Sequence, residues 1–148
     1  MKSLGRLGTV VAVIVLVPFM VYRASRWATD LPHADAILSE LKDELSKIQP
    51  PHTVRTEGTH ESRKPEQVLL SANYRGQISY SDLRTYYDSQ LSRNGWTFTH
   101  EESLKNWGRD LGEKQACYSK GNYAAFLYYR GEVGDEYTYS LGLSWGMH

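Results

Sequence analysis

Three observations place this chain in the α+β class. An amphipathic stripe runs from Ala34 to Ile48, a second helical pattern runs from Leu83 to Leu91, and period-two strand patterns crowd the stretch after Trp96. Helix, strand, helix and then several strands, in that order, imply a mainly antiparallel sheet with a helix packed on one face. Ahead of them lies an uncharged apolar run, LGTVVAVIVLVPFMVY from Leu7 to Tyr22, set between Lys2/Arg6 and Arg23/Arg26. The full expectation is an N-terminal transmembrane helix, an amphipathic helix and then the α+β domain.

The apolar run comes first in the chain. At about 1.5 Å per residue it makes roughly 24 Å of helix, short of the roughly 30 Å hydrocarbon core, so length alone also fits a cleaved signal peptide. The flanks favour retention, because the run meets Tyr22, Arg23, Arg26 and Trp27 where a cleavage site needs small residues. Arg6 and Arg23 can snorkel, and Tyr22 and Trp27 suit the headgroup level, so residues 7–27 form the expected anchor. Lipid attachment would need a cysteine just after the run, and the only cysteine is Cys117. The six-residue tail, 1–6, is expected in the cytoplasm, with the rest of the chain outside it at a bacterial inner membrane.

Residues 28–52 read as a juxtamembrane amphipathic helix and linker. Asp30 and Pro32 suit a helix start, and Ala34, Ile37, Leu38, Leu41, Leu45 and Ile48 share one face until Pro50 and Pro51 end it. That stripe either packs on the domain or pairs with a partner. Residues 53–148 form the α+β domain. Val54–Glu57 suit a short edge strand, and THESRKPE up to Glu66 reads as an exposed turn or loop. Val68, Leu70, Ala72 and Tyr74 then alternate with polar or smaller neighbours as a strand does.

Ser79 or Ser81 caps the next helix, whose Leu83, Tyr87 and Leu91 share a face, and Asn94-Gly95 stops it with Gly95 left-handed. Trp96, Phe98 and His100 are expected to point one way along the next strand. Residues 102–113 read as a loop, a candidate lid carrying Trp107. Lys120-Gly121-Asn122 marks a turn, YAAFLYYR from Tyr123 to Arg130 a strand, and Gly134-Asp135 a second turn. In the last strand Tyr137, Tyr139, Leu141, Leu143 and Trp145 alternate with Thr138, Ser140, Gly142 and Ser144, so one face is buried.

Charge excludes some functions. The chain carries 17 basic and 17 acidic side chains, and residues 53–148 hold 11 and 12 of these without a basic stripe. Nucleic-acid binding needs a positive field and is not expected. His60-Glu61 and His100-Glu101 are the nearest things to an acid–base pair, but neighbours on a strand point to opposite faces. Metal spacings such as H-x-x-x-H, a G-x-S-x-G elbow and a phosphate-binding glycine fingerprint do not occur. We expect no catalytic, metal or cofactor residues, and no enzyme.

Aromatic content is the stronger lead, with eleven tyrosines and four tryptophans. In YAAFLYYR both faces carry apolar groups, so helices on one side would leave an aromatic surface on the other. Trp107, Tyr123, Tyr128 and Tyr129 are the expected recognition or ligand surface, since tyrosine and tryptophan combine large contact area with a polar tip.

The stretch DLRTYYDSQLSRNGW, residues 82–96, resembles a pattern in small, poorly characterised bacterial envelope proteins: a helix with paired aromatics, then Leu, then Gly-Trp opening a strand. The resemblance implies a membrane- or lipid-anchored α+β domain of the split or ferredoxin-like kind, and it carries over no functional residue. Together these readings give two expectations. One is a non-catalytic, membrane-anchored envelope accessory or protein-interaction domain, with an immunity-type protein as a special case. The alternative is a small-ligand or lipid-binding module that uses the aromatic sheet face.

Overall fold

The computed structural model describes residues 32–131 and 136–146. The expected anchor at 7–27, the helix start at Asp30 and the turn at Gly134-Asp135 lie outside the described residues. Among those described, no helix is long and apolar enough to cross a membrane.

Helix α1 covers 32–46. Strands β1 (Arg55–Lys64) and β2 (Gln67–Arg75) follow, then helix α2 (Tyr80–Arg93), then β3 (Thr97–Asn106), β4 (Arg109–Lys120), β5 (Tyr123–Tyr129) and β6 (Tyr139–Trp145). The six strands make one sheet in the order β1-β2-β6-β5-β4-β3, and every neighbouring pair is antiparallel. This is the expected α+β class. The connection β2-α2-β3 joins two strands that run the same way with three others between them, so it is a split crossover. A ferredoxin-like fold has two β-α-β units, and here there is one.

Both helices lie on one face. On that face β2 contributes Val68, Leu70, Ala72 and Tyr74, β6 contributes Tyr139, Leu141 and Leu143, and β5 contributes Ala125 and Leu127, all buried. From α1, Ala34, Ile37, Leu38 and Leu41 enter the same core, with Leu45 partly buried beside them, and Ile48 follows from the turn after the helix. At about 1.5–3 kcal/mol for each fully buried Leu or Ile, this stripe belongs to the domain and is not held for a partner helix. The boundary expected at residue 53 therefore divides the sequence and not the core. Polar contacts follow the same path: Lys120 Nζ donates to Glu44 Oε2 (2.6 Å), Tyr123 donates to Glu40, and His33 meets the edge of Trp145 at 5.4 Å.

Helix α2 begins where Ser79 Oγ accepts from Asp82 N (3.1 Å) and buries Leu83, Tyr87 and Leu91. Its end is a Schellman motif. Gly95 takes φ 81°, its N–H donates to Ser92 O (3.1 Å), and Trp96 N donates to Leu91 O (3.0 Å). This delivers the indole of Trp96 into the core at 2 % exposure. Next to α2, Tyr87 and Tyr139 share a hydroxyl–hydroxyl hydrogen bond of 3.1 Å, and Tyr139 stacks on Tyr74 at 5.0 Å between ring centres.

Three expectations change. Residues 58–64 continue β1 and are not a loop. Their side chains are polar on both faces, so no hydropathy period marks them; Glu61 and Arg63 pair with Lys42 and Asp35 of α1. The expected lid at 102–113 is the outer half of the β3–β4 hairpin, closed by the two-residue turn Trp107-Gly108. Finally, Phe98 and His100 point to opposite faces, because a bulge lies between them. Phe98 pairs with Tyr118 and His100 with Cys117, while Thr99 Oγ1 donates to Cys117 O (3.0 Å).

Candidate functional site

The helices leave the second face of the sheet uncovered by any described element. The register places Leu69, Ser71 and Asn73 of β2, Ser140, Gly142 and Ser144 of β6, Ala124, Phe126 and Tyr128 of β5, and Gln115 and Cys117 of β4 on it. Small side chains dominate the centre for a steric reason. The outer end of the Phe126 ring lies over Gly142, where a Cβ would overlap its Cζ and Cε atoms. Ser140 and Ser144 are nevertheless buried, and Ser144 Oγ has no partner among the described residues.

Toward the β4 side this face turns polar. Tyr128 Oη donates to Glu113 Oε2 (2.6 Å), and Glu113 is itself buried. Burial first, then this bond to a carboxylate, pushes the Tyr128 phenol up to about 12. Gln115 Nε2 donates to Cys117 Sγ (3.5 Å) and to Glu102 Oε1 (3.4 Å). His100 is the cross-strand partner of Cys117, so a thiol, an imidazole and the Glu102 carboxylate share one surface. Sequence reasoning missed this grouping, because the Thr99 bulge shifts His100 to the face that uninterrupted alternation denies it. His100 Nδ1 is engaged by Thr99 Oγ1 at 3.2 Å, and among the described residues no hydrogen bond joins it to Cys117. No group of three metal-binding side chains converges among the described residues either.

The four expected recognition residues fall on three separate surfaces. Tyr128 alone lies on the open face. Tyr123 and Tyr129 lie on the helix-covered face, the first bonded to Glu40 and the second against the ring of Tyr80 at 5.7 Å. Trp107 stands at the hairpin tip, 96 % exposed. Strand alternation explains the split, since Tyr128 and Tyr129 are neighbours and must face opposite ways.

A groove of about 410 Å³ opens at the end of the sheet where α1 begins, walled by His33, Ile37, Tyr123 and Trp145 with Glu40 and Lys120 at its rim. Its volume is within the range of small-molecule sites, and two of its walls are aromatic. Both rim charges already have partners, Lys120 in Glu44 and Glu40 in Tyr123. A second cluster, on the covered face, is also internally satisfied. Arg84 lies over Phe98 at 4.3 Å, donates to Tyr118 Oη (2.8 Å), and pairs with Asp88 and Glu101. This arrangement pins α2 to β3 and β4.

No family model, curated protein or solved structure matches this chain.

Proposed function

We propose that this protein is a non-catalytic, membrane-anchored interaction domain of the bacterial envelope. It is held by residues 7–27 at the inner membrane, with residues 53–148 outside the cytoplasm, and it binds a protein partner. The single observation that supports this most is the sheet face that no described element covers, where Phe126 and Tyr128 stand on a bed of serine, glycine and asparagine. Such a face joins aromatic contact area to a polar floor that water tolerates, the chemistry of a surface that is wet when free and dry when bound. The resemblance of residues 82–96 to small envelope proteins points the same way, and an immunity-type protein is one form it could take.

The test is site-specific photo-crosslinking in intact membranes. A photoreactive residue at Phe126 or Tyr128 should trap one discrete partner, and the same probe at Lys47, exposed in the turn just after α1, should not. Equal, diffuse labelling at both places would count against the open face as the interface. The purified chain turning over a small substrate would overturn the non-catalytic reading.

A second reading has its own observation, the groove walled by Tyr123 and Trp145. It lies beside the first turn of α1. With residues 7–27 in the bilayer, the link 28–31 spans at most about 14 Å, so the groove sits within reach of lipid headgroups. A Trp145→Ala variant that loses binding of a detergent-dispersed phospholipid while keeping its partner crosslink would favour this lipid-binding reading over the first.

A further inference from the structure

Trp107 is the most exposed large apolar side chain of the described fold, and no ring or core contact among the described residues accounts for it. It is 96 % exposed and enters no ring contact among the described residues. Its backbone has φ 51° and that of Gly108 φ 78°, so both central residues of the turn are left-handed, the type I′ pattern that suits asparagine and glycine. Bulky side chains are rare there, and this one gains no packing in return. The turn also projects: β4 pairs with β5 only from Lys114 onward, the backbone of Leu111 and Gly112 still lies against Gly131, and beyond that Arg109 and Asp110 pair with β3 alone.

The neighbours of the tip give it chemical character. Lys105 and Arg109 are exposed on either side, and Asp110 turns back to accept from Gly112 N (3.0 Å). Two cations therefore flank a lone indole. A protein partner matches this poorly, because one Trp offers about 150–250 Å² whereas a specific interface uses about 800 Å² from each side. A bilayer surface needs no matching shape. It takes Trp at the headgroup level and draws Lys and Arg to anionic headgroups.

We propose that Trp107, with Lys105 and Arg109, is a contact for an anionic phospholipid bilayer, separate from residues 7–27. The tip lies at the opposite end of β4 from Lys120, which holds α1. Eleven strand steps of about 3.4 Å put on the order of 37 Å between them. The sheet therefore either lies along the membrane that anchors it or reaches toward another.

The experiment uses the full chain reconstituted in vesicles containing phosphatidylglycerol, with brominated acyl chains either in those vesicles or in a second, added population. The emission difference between wild type and Trp107→Ala isolates the indole of interest. A blue-shifted component quenched by bromine in either arm, and lost when the vesicles are phosphatidylcholine alone or when Lys105→Glu and Arg109→Glu are combined, supports the proposal. A Trp107 component that stays open to aqueous acrylamide and untouched by bromine in both arms overturns it and leaves the tip to a protein partner. Because Trp107 packs on nothing, the alanine variant should keep its circular dichroism and melting temperature. The outcome does not depend on the anchor: a chain whose residues 7–27 fail to span would still report quenching from added vesicles, while resistance to alkaline extraction tests the anchor by itself.

Discussion

The two faces of this sheet are built by the same six strands and follow opposite rules. Under the helices, alternate residues are Leu, Tyr, Val and Ala in close contact with α1 and α2. On the other face the intervening residues of the same strands are mostly serine, glycine, asparagine and alanine, with Phe126 the one ring lying over β6. What differs is the cover. Where a helix is available to fill space, large side chains are stabilising; where none is, small ones let one ring roof a central strand. Stability is thus concentrated on one face.

The sharpest test of that asymmetry compares two truncations. Leu141→Ala, on the covered face at 0 % exposure, should cost about 2–5 kcal/mol. Phe126→Ala, half-buried and unroofed, should cost well under half as much. Urea midpoints with unchanged slopes measure both, and equal costs would mean that the open face is a second core.

Alkaline pH should act most strongly on the covered face, although the Tyr128 phenol of the open face is also raised. Burial raises the Tyr87 and Tyr139 phenols above their ordinary value of 10.0. The folded chain then holds those protons more tightly than the unfolded chain. Their contribution is complete below the ordinary phenol value and declines as pH rises past it, by about 1.4 kcal/mol per pH unit for each phenol. A melting series carried above that value should fall steeply for wild type and less steeply for Tyr87→Phe. Parallel curves would remove the buried pair from the account.

Smaller effects probe the open face and its edge. Gly142→Ala should cost about 1–3 kcal/mol by driving the Phe126 ring off β6, and most of that should vanish in a Phe126→Ala background. Additive costs would place the strain elsewhere. Smallest of all, Trp107→Asn should stabilise the chain by about 1 kcal/mol, since Asn-Gly suits the turn that Trp-Gly strains. A loss of stability there would show that the indole packs on something after all.

The sequence made the covered face readable and the open face obscure, for a physical reason. Helix stripes and strand alternation register burial against a helix, so the stripes from Ala34 to Ile48 and from Leu83 to Leu91 and the strands β2, β5 and β6 could be found in order. The Asn94-Gly95-Trp96 stop follows from local backbone chemistry and was equally legible. Of β1 only the start was, as the short edge strand expected at Val54–Glu57; residues 58–64 carry polar side chains on both faces and so no apolar period. Residues 102–113 misled for a related reason: their few apolar residues are scattered along a hairpin whose tip is solvated. Bulges hide best of all, and the one at Thr99 alone decides which face His100 joins. The site suffered most, since choosing Tyr123, Tyr128 and Tyr129 together ignored the alternation that separates them.

The last described strand, β6, occupies the middle of the sheet. Until residues 139–145 are made, β2 and β5 have no neighbour on their inner edges, and the core stripes of both wait beside an empty lane. Every earlier element can form local structure, the β3–β4–β5 meander especially, yet none can close the sheet. During synthesis the chain must therefore spend time as two unfinished halves with unpaired, apolar strand edges, the condition in which strands of different molecules pair with each other. Topology alone thus gives this small domain a reason to depend on prompt arrival of β6.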